Sequence, residues 1–323
     1  MLKRIIGVMC AVTMVFLMVA SGYSEEKGTF LITVGTPKAP PALPLLYMME
    51  NNTLGDEVRI KLDFWSEAET LIAMVQDKKH HFLAFPLTVM SKLYNKGLDV
   101  RLLNVNTWGV TYFITTDREF RSWSDLRGKD VYVNLKSSPP DVFTRCFLEE
   151  AGLDPEKDVN IVYASMPEVA AMIASGRAEY ATLIEPMATK VLMSNPKARV
   201  GASFEEEWRR INKNDSRIPN AGMGVMGDFA KKNPDLVEDF QKGYEEGLIW
   251  TLEHPEEAGK LAEKYLALDG ELLTRAIPSM GLHFEDAMEA KADLDLFFGF
   301  LLDFDPRTIG GRVPDDGMYY VED

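Results

Sequence analysis

The fold is decided by residues 29–95, which read TFLITVGTPKAPPALPLLYMMENNTLGDEVRIKLDFWSEAETLIAMVQDKKHHFLAFPLTVMSKLYN. Short runs rich in β-branched and aromatic residues, such as 30–34 and 58–65, have the composition of strands. Between them, residues 67–78 place their apolar side chains on one helical face. Strands that alternate with helices are typical of βαβ units around a parallel or mixed sheet. The sequence therefore predicts an α/β fold.

A second set of strands and helices follows Asp117. The pattern predicts strands at 130–134, 161–163 and 181–184, with helices at 139–151 and 167–175. From Gly224 onward it predicts a mainly helical chain, with helices at 234–254, 256–266, 270–280 and 285–302. The two sets have the appearance of similar lobes that the chain joins twice, near residue 116 and near residues 220–224. We expect one lobe from residues 25–116 with 222–323, a second from 117–221, and a hinge between them.

The N-terminus has the order of a secretory signal peptide. Lys3 and Arg4 precede an apolar run over residues 5–20, and a small, polar stretch follows at 21–24. The apolar run is short for a membrane span, which needs about 20 apolar residues. We therefore expect residues 1–24 to be a signal peptide and the rest to be an exported, periplasmic domain. Retention of the segment as an N-terminal anchor is the alternative.

The composition restricts the partners. A formal net charge of −15 argues against nucleic acid or an anionic membrane surface as a partner. It does not exclude a small anionic ligand, because a local site can oppose the overall charge. Of the two cysteines, Cys10 lies in the apolar run and only Cys146 would remain after cleavage, so no disulfide is expected within the mature chain.

Several segments, in this order, resemble one known family. They are SDLRGK (124–129), LKSSP (135–139), FLEEAGL (147–153), VAAMIASGRAE (169–179) with IEP (184–186), and NPDLVEDF (233–240) with HPEEA (254–258). Each segment alone is weak, but their order and spacing extend over nearly the whole mature chain. The sequence resembles the nitrate/sulfonate/taurine and thiamine-precursor binding proteins of ABC importers, the SsuA/THI5-like or NMT1-type family.

The resemblance implies a type II periplasmic-binding-protein fold, in which two α/β lobes close on a ligand by hinge motion. It implies a monomeric solute-binding protein that binds a small organic molecule or oxyanion, without a cofactor, and delivers it to an ABC permease and its ATPase. The ligand itself is not implied, since fold does not fix function. The alternative is a THI5-like or menaquinone-pathway-like enzyme on the same fold. Export and the lack of an evident catalytic cluster favour binding, and a ligand sensor would have the same lobes.

Ligands of open α/β sheets bind where strands end and helices begin. That rule selects eight candidate ligand-binding residues. They are Lys38, Trp65, Thr88, Trp108, Ser137, Ser138, Glu185 and Asn220. The two tryptophans would supply apolar walls with one polar group each, and Glu185 would accept hydrogen bonds from the ligand. For each residue the alternative is ordinary packing, capping or turn formation.

Helix N-termini usually offer backbone N–H groups to anions. Pro139 and Pro140 lack that donor at one expected site, and Pro40, Pro41 and Pro44 deplete another. This favours a neutral or aromatic organic ligand over an anion.

Two other kinds of site are not predicted. Gly222, Gly224 and Gly227 form a G-x-G-x-x-G pattern, but a polar loop rather than a strand precedes it, so the pattern does not indicate nucleotide binding. The four histidines have no zinc-like spacing, and we expect no metal site and no catalytic residues.

Overall fold

The computed structural model describes residues 29–321. The expected signal peptide lies outside the described residues. The strands, in chain order, are β1 (Phe30–Pro37), β2 (Val58–Trp65), β3 (Phe82–Pro86), β4 (Val100–Trp108), β5 (Thr111–Thr115), β6 (Asp130–Val133), β7 (Asn160–Tyr163), β8 (Tyr180–Ile184), β9 (Arg199–Ser203), β10 (Pro219–Met226) and β11 (Leu282–Asp286).

The α-helices fall between and after these strands. They are α1 (Leu43–Asn51), α2 (Ala68–Asp77), α3 (Leu87–Asn95), α4 (Pro139–Glu150), α5 (Met166–Ala174), α6 (Met187–Ser194), α7 (Phe204–Asn212), α8 (Gly227–Lys232), α9 (Pro234–Glu253), α10 (Pro255–Leu266), α11 (Gly270–Ala276) and α12 (Lys291–Phe304). The alternation of strands and helices confirms the α/β prediction.

The strands form two sheets. The first has the order β11-β4-β10-β3-β1-β2. Strand β1 runs parallel to β2 and β3, whereas β10 runs antiparallel to β3 and β4. Its central strands are buried on both faces, which explains why β3 has the continuous apolar sequence FLAFP. The first sheet is therefore a mixed sheet with helices packed on both sides.

The second sheet has the order β7-β6-β8-β5-β9. Strands β6, β7 and β8 are parallel, and β5 runs antiparallel to β8 and β9. The chain leaves the first sheet after Trp108 and enters the second at Thr111, and it returns through residues 213–218 between α7 and β10. The division into lobes at residues 117 and 221 stays a prediction; the change of sheet itself lies at 109–110 and 213–218.

The region after residue 184 differs most from the sequence prediction. Residues 220–224, which we expected to be a crossing, lie inside β10, a central strand of the first sheet. The chain after Gly224 is mainly helical as expected, but the helix expected from residue 285 begins only at Lys291, and the unpredicted strand β11 occupies residues 282–286. The two strands are hard to predict for different reasons. Strand β10 reads PNAGMGVM, whose glycines have low strand propensity, so its neighbouring strands rather than its own residues determine its conformation. Strand β11 is only five residues long.

Helix α12 connects the two halves of the structure. It follows β11 of the first sheet, yet its Phe300 ring stacks on Phe143 of α4 at 4.9 Å and lies edge-on to Trp208 of α7 at 5.1 Å. The chain then returns, so that Tyr319 forms a bridge with Leu102 of β4. One apolar core thus extends from the first sheet to the helices of the second.

Within residues 29–321, no helix is both long enough and apolar enough to cross a membrane.

Candidate ligand-binding site

The carboxyl ends of the parallel strands meet at one edge in each sheet. In the first sheet, β1, β2 and β3 end at this edge, and β4 also ends there because it runs antiparallel to β10. Strand β10 begins at the same edge. In the second sheet, β6 and β8 end together, and Thr111 at the start of β5 pairs with Ile184 at the end of β8. The two edges are therefore joined directly by residues 109–110.

All eight candidate residues lie at or just beyond these two edges. The first sheet and its loops carry Lys38, Trp65, Thr88, Trp108 and Asn220, and the second carries Ser137, Ser138 and Glu185. Their environments differ, however, and divide them into residues that can face a ligand and residues that are already engaged.

Val110 brings two candidates together from opposite sheets. Its backbone N–H donates to Asn220 Oδ1 at 3.4 Å, and its carbonyl oxygen accepts from the backbone N–H of Glu185 at 3.1 Å. Asn220 precedes Ala221, which pairs with Pro86 at the start of α3. Thr88, the second residue of α3, therefore lies on the same side of the junction as Asn220.

Glu185 is buried and acts as a cap. Its carboxylate accepts hydrogen bonds from the backbone N–H of Thr189 at 3.1 Å and from the Thr189 hydroxyl at 2.9 Å, so it satisfies one of the free N–H groups in the first turn of α6. Burial raises the pKa of the Glu185 carboxyl, and the two bonds from Thr189 partly offset that rise. Each carboxylate oxygen can accept a further hydrogen bond.

Trp65 and Trp108 are not equivalent. The Trp65 ring is half-buried, and its indole Nε1 is buried with no hydrogen-bond partner among the residues that the structure describes. Trp108 is only 1% exposed, and its indole N–H donates to the His283 carbonyl oxygen at 2.9 Å. The Arg217 guanidinium lies 4.1 Å from the centre of its ring. Trp108 is thus part of the core behind the edge, whereas Trp65 keeps an unused donor.

Lys38 is exposed, but its side chain already contacts other residues on the first-sheet side of the molecule. Its ammonium donates to the Leu266 carbonyl oxygen at 2.9 Å, at the end of α10, and lies 5.3 Å from the centre of the Phe64 ring. A cation near a helix C-terminus is favourable. Lys38 would have to give up both contacts to reach a ligand.

The Ser137–Ser138 loop is fixed by α4. Ser137 has a left-handed φ of 60°, and its backbone N–H donates to Asp141 Oδ2 at 2.8 Å. The Ser138 hydroxyl donates to the Leu135 carbonyl oxygen at 2.6 Å. The Ser138 hydroxyl is therefore used to form the turn, whereas the Ser137 hydroxyl has no hydrogen-bond partner among the described residues.

Asp141 itself was missed by the sequence reasoning. The side chain is 1% exposed, and its Oδ1 accepts from Arg145 Nε at 3.1 Å and from the Tyr163 hydroxyl at 2.9 Å. Arg145 also pairs with Glu156. The i, i+4 spacing of Asp141 and Arg145 was the available signal, but it is equally typical of a solvent-exposed helix face.

Two further polar residues at the edge were also missed. Asn134, directly after β6, has a buried Oδ1 atom without a hydrogen-bond partner in the described part of the chain. Tyr112 of β5 donates its hydroxyl to the Ser279 carbonyl oxygen, 2.9 Å away, and so links the second sheet to the segment before β11. Burial, with the nearby carboxylates of Glu185 and Glu205, raises the pKa of Tyr112 to about 12. Asn134 is the last residue of the strand expected at 130–134, so the strand-end rule could have selected it as it selected Trp65.

The glycine pattern has a packing role. Gly222 and Gly224 lie in β10, where a Cβ on Gly222 would overlap the carbonyl oxygen of Asn104 and one on Gly224 would press on the Phe85 ring. A Cβ on Gly227 would overlap the Asp99 carboxylate. Close packing against neighbouring residues therefore accounts for glycine at all three positions. Among residues 29–321, no three His, Cys, Asp or Glu side chains are grouped closely enough to hold a metal ion.

Comparison with known proteins agrees with this architecture. The family model described as NMT1/THI5 like matches residues 57–258, more than half of the 323 residues. A Bacillus subtilis (strain 168) protein described as binding protein YtlA is 27% identical over 139 residues, which span 43% of this chain and 39% of that relative.

Solved structures share the fold over most of their length. An ABC transporter protein from Parabacteroides distasonis superposes with a TM-score of 0.79 at 20% identity, covering 91% of this chain and 99% of that one. The periplasmic aliphatic sulphonate binding protein SsuA from Escherichia coli gives 0.74 at 13% identity, covering 91% and 92%. The nitrate-binding protein NrtA from Synechocystis PCC 6803 gives 0.59 at 14%, covering 87% and 81%. The fold is that of the type II periplasmic binding proteins, and the chain belongs to the NMT1/THI5-like family.

Proposed function

We propose that this protein is the solute-binding component of an ABC importer and that it binds a small molecule between the two sheets, outside the cytoplasm. The observation that carries the proposal is the junction at Val110, where the carboxyl edges of both sheets meet and where Asn220 and Glu185 are held on opposite sides. Ligands of open α/β sheets bind outside the carboxyl ends of strands. The names of the solved relatives, which refer to sulphonate and nitrate binding and to ABC transport, point the same way.

We assign the first sheet and its helices to one lobe and the second sheet and its helices to the other, and we propose that the lobes move about the segments 109–110 and 213–218, close to the boundaries expected at residues 117 and 221. Trp65, Thr88 and Asn220 would contact the solute from the first lobe. From the second lobe, the contacts would come from Glu185, from the Ser137 and Ser138 loop and from Asn134. The protein would act as a monomer, with a permease and its ATPase as partners.

The edge favours an uncharged solute over an anion. Helix α4 has proline at its first two positions, α1 has Pro44 near its start, and the N-terminus of α6 is already capped by the Glu185 carboxylate. These helices therefore offer few free N–H donors. The unpaired polar atoms of Trp65 and Asn134 are a donor and an acceptor, as a neutral polar molecule requires.

Binding without turnover is part of the proposal. The carboxylate at the junction, Glu185, is held by Thr189 as a helix cap, which leaves it as a hydrogen-bond acceptor for a solute rather than a base beside a nucleophile.

A thermal-shift screen tests the proposal. Residues 25–323 would be purified, unfolded and refolded to remove any bound solute, and then heated with sulfonates, nitrate, bicarbonate, pyrimidines, flavins or aromatic acids. A ligand that binds only the folded state increases the free energy of unfolding by about 2.7 kcal/mol at a hundredfold excess over Kd. Tm rises as a result. A saturable rise with the compound recovered unchanged would support binding. Conversion of that compound to a product would contradict it.

A further inference from the structure

The two segments that connect the sheets meet at one carboxylate. Glu205 lies in the first turn of α7, beside the second sheet, and its Oε2 accepts from the backbone N–H of Ile218 at 2.9 Å. The Ile218 carbonyl oxygen in turn accepts from the backbone N–H of Gly109 at 2.9 Å. Gly109 has a φ of +50°, and a Cβ at this position would overlap the Glu205 carboxylate. Only glycine fits here, because both the conformation and the space exclude a side chain.

Arg217 extends this contact to the first sheet. Its Nε lies 3.5 Å from Glu205 Oε1, and its Nη1 lies 3.6 Å from Glu285 Oε2 on β11. The guanidinium also covers the Trp108 ring at the end of β4, 4.1 Å from its centre. The backbone N–H of Arg217 donates to Asp293 Oδ1 of α12 at 3.0 Å. Arg217 thus contacts a carboxylate on each side of the connection.

The charged side chains of this cluster are largely shielded from solvent. The side chains of Glu205, Arg217 and Glu285 are 14%, 24% and 24% exposed, so their attraction is screened less than that of surface pairs. The other link on this side, the packing of Phe300 on Phe143 and Trp208, is apolar. Apolar burial is non-directional and tolerates small rotations, whereas the hydrogen bond from the Ile218 N–H to Glu205 requires one geometry. The ion pairs of Arg217 with Glu205 and Glu285 add an attraction on each side of this bond.

We propose that Glu205 and Arg217 form a clamp on both connecting segments that fixes the angle between the two halves of the site. Arg217 is a positioning residue. It acts through the connecting segments and through Trp108, which lies in the core behind the edge. The significance of the clamp for solute capture rests on the proposed function. The clamp itself can be tested without any solute.

The experiment measures the distance between the halves in the solute-free protein. Spin labels would be attached after Glu179→Cys, beside β8, and Lys260→Cys, on α10, in a Cys146→Ser background; both labelled positions are exposed. The Arg217→Ala chain should give a distance distribution at least about twice as wide as the parent, because hinge rotation moves distant points most. Glu205→Gln keeps an acceptor for Ile218 and removes the charge, so it should widen the distribution while preserving the fold.

The matched control is Arg210→Ala. Arg210 lies on α7, the helix of Glu205, and pairs with Glu207 of the same helix at 2.8 Å. It should leave the width unchanged.

Parent-like widths in both Arg217→Ala and Glu205→Gln would overturn the clamp and would leave the solute-binding proposal intact. A failure of every compound to raise Tm, in contrast, would count against the proposed function without changing these distances.

Discussion

The Glu185 carboxylate accepts both the backbone N–H and the hydroxyl of Thr189, at 3.1 and 2.9 Å, at the point where β8 ends and α6 begins. The same residue is joined through its own N–H to Val110, between the sheets. A helix cap and the junction of the two halves therefore share one acidic residue, and its titration should be measurable in the stability of the protein.

Because burial raises the pKa of Glu185 in the folded protein, the folded chain holds this proton more tightly than the unfolded chain. The stability that the group contributes is complete below its ordinary pKa of 4.5 and is lost as the pH rises through the folded value. Glu185→Gln cannot titrate. We expect Tm of Glu185→Gln minus Tm of the parent to increase from pH 4 to pH 7, as followed by circular dichroism.

The control for this pH dependence is Glu168→Gln. Hydrogen bonds from Ser165 lower the pKa of the Glu168 carboxyl, so its contribution is present at neutral pH and lost as the pH falls through the folded value. The Tm difference for Glu168→Gln should therefore change in the opposite direction. Equal slopes for the two variants would refute the assignment of a raised pKa to Glu185.

Trp108 should behave as a core residue. Trp108→Ala removes a side chain that is 1% exposed, together with its bond to His283 and its contact with Arg217. Large-to-small substitutions of buried aromatics cost about 3–5 kcal/mol. Urea unfolding should show a loss of that size, and a loss below about 1 kcal/mol would contradict the burial.

Trp65 should affect binding more than stability. Its ring is half-buried, and its buried indole N–H has no partner among residues 29–321. Trp65→Ala should weaken binding of the compound that raises Tm by about tenfold, which corresponds to about 1.4 kcal/mol. Isothermal titration calorimetry measures this. Unchanged affinity in a folded Trp65→Ala protein would remove Trp65 from the site.

Gly222 and Gly299 should respond to alanine in opposite ways. A Cβ at Gly222 would overlap the carbonyl oxygen of Asn104, which is backbone and cannot move aside, so Gly222→Ala should destabilise the first sheet. Apart from nearby residues of α12 itself, no heavy atom of the described chain lies within 4 Å of a Cβ at Gly299, so Gly299→Ala should gain up to about 1 kcal/mol of helix stability. Differential scanning calorimetry would compare them; a stabilised Gly222→Ala would show that β10 is packed differently.

Asp141 should keep the Ser137 loop closed to proteases. The loop depends on the bond from the Ser137 N–H to Asp141, and Lys136 beside it is exposed. Asp141→Ala also leaves Arg145 with fewer partners in a buried position, which typically costs about 3–5 kcal/mol. Below the melting temperature, trypsin should cleave after Lys136 several-fold faster than in the parent, as mass spectrometry of the fragments would show.

Ser175→Ala is a control for that digestion. Ser175 ends α5, and its hydroxyl donates only to carbonyl oxygens of its own helix, at Ala171 and Met172. It should not change the rate after Lys136. Equal rates in the Asp141→Ala and parent chains would mean that Asp141 does not hold the loop.

The sequence predicts the elements that have a strong period or strong caps. Strand β2 was expected at the residues it occupies and helix α2 within one residue of its bounds, because alternation defines the strand and one apolar face defines the helix. Strand β10 could not be predicted. Its glycines have low strand propensity, and the space that requires them is created by Asn104 and Phe85 on neighbouring strands far away in the sequence.

The candidate site shows the same limit. The rule of strand ends selected residues that do lie along one junction, since it depends only on topology. It could not tell Trp65 from Trp108, because both end a strand. Their difference arises from His283 and Arg217, which β11 and the return segment bring to Trp108 alone.

The central claim is that a solute is bound between the two sheets. Its most direct test is to measure backbone hydrogen exchange with and without the compound that raises Tm. Bound solute should slow exchange on both sides of the junction, at residues 86–88 and 219–221 of the first half and at 134–138 and 185–189 of the second, with the compound recovered unchanged. Protection confined to one half, or lying away from these segments, would contradict the account.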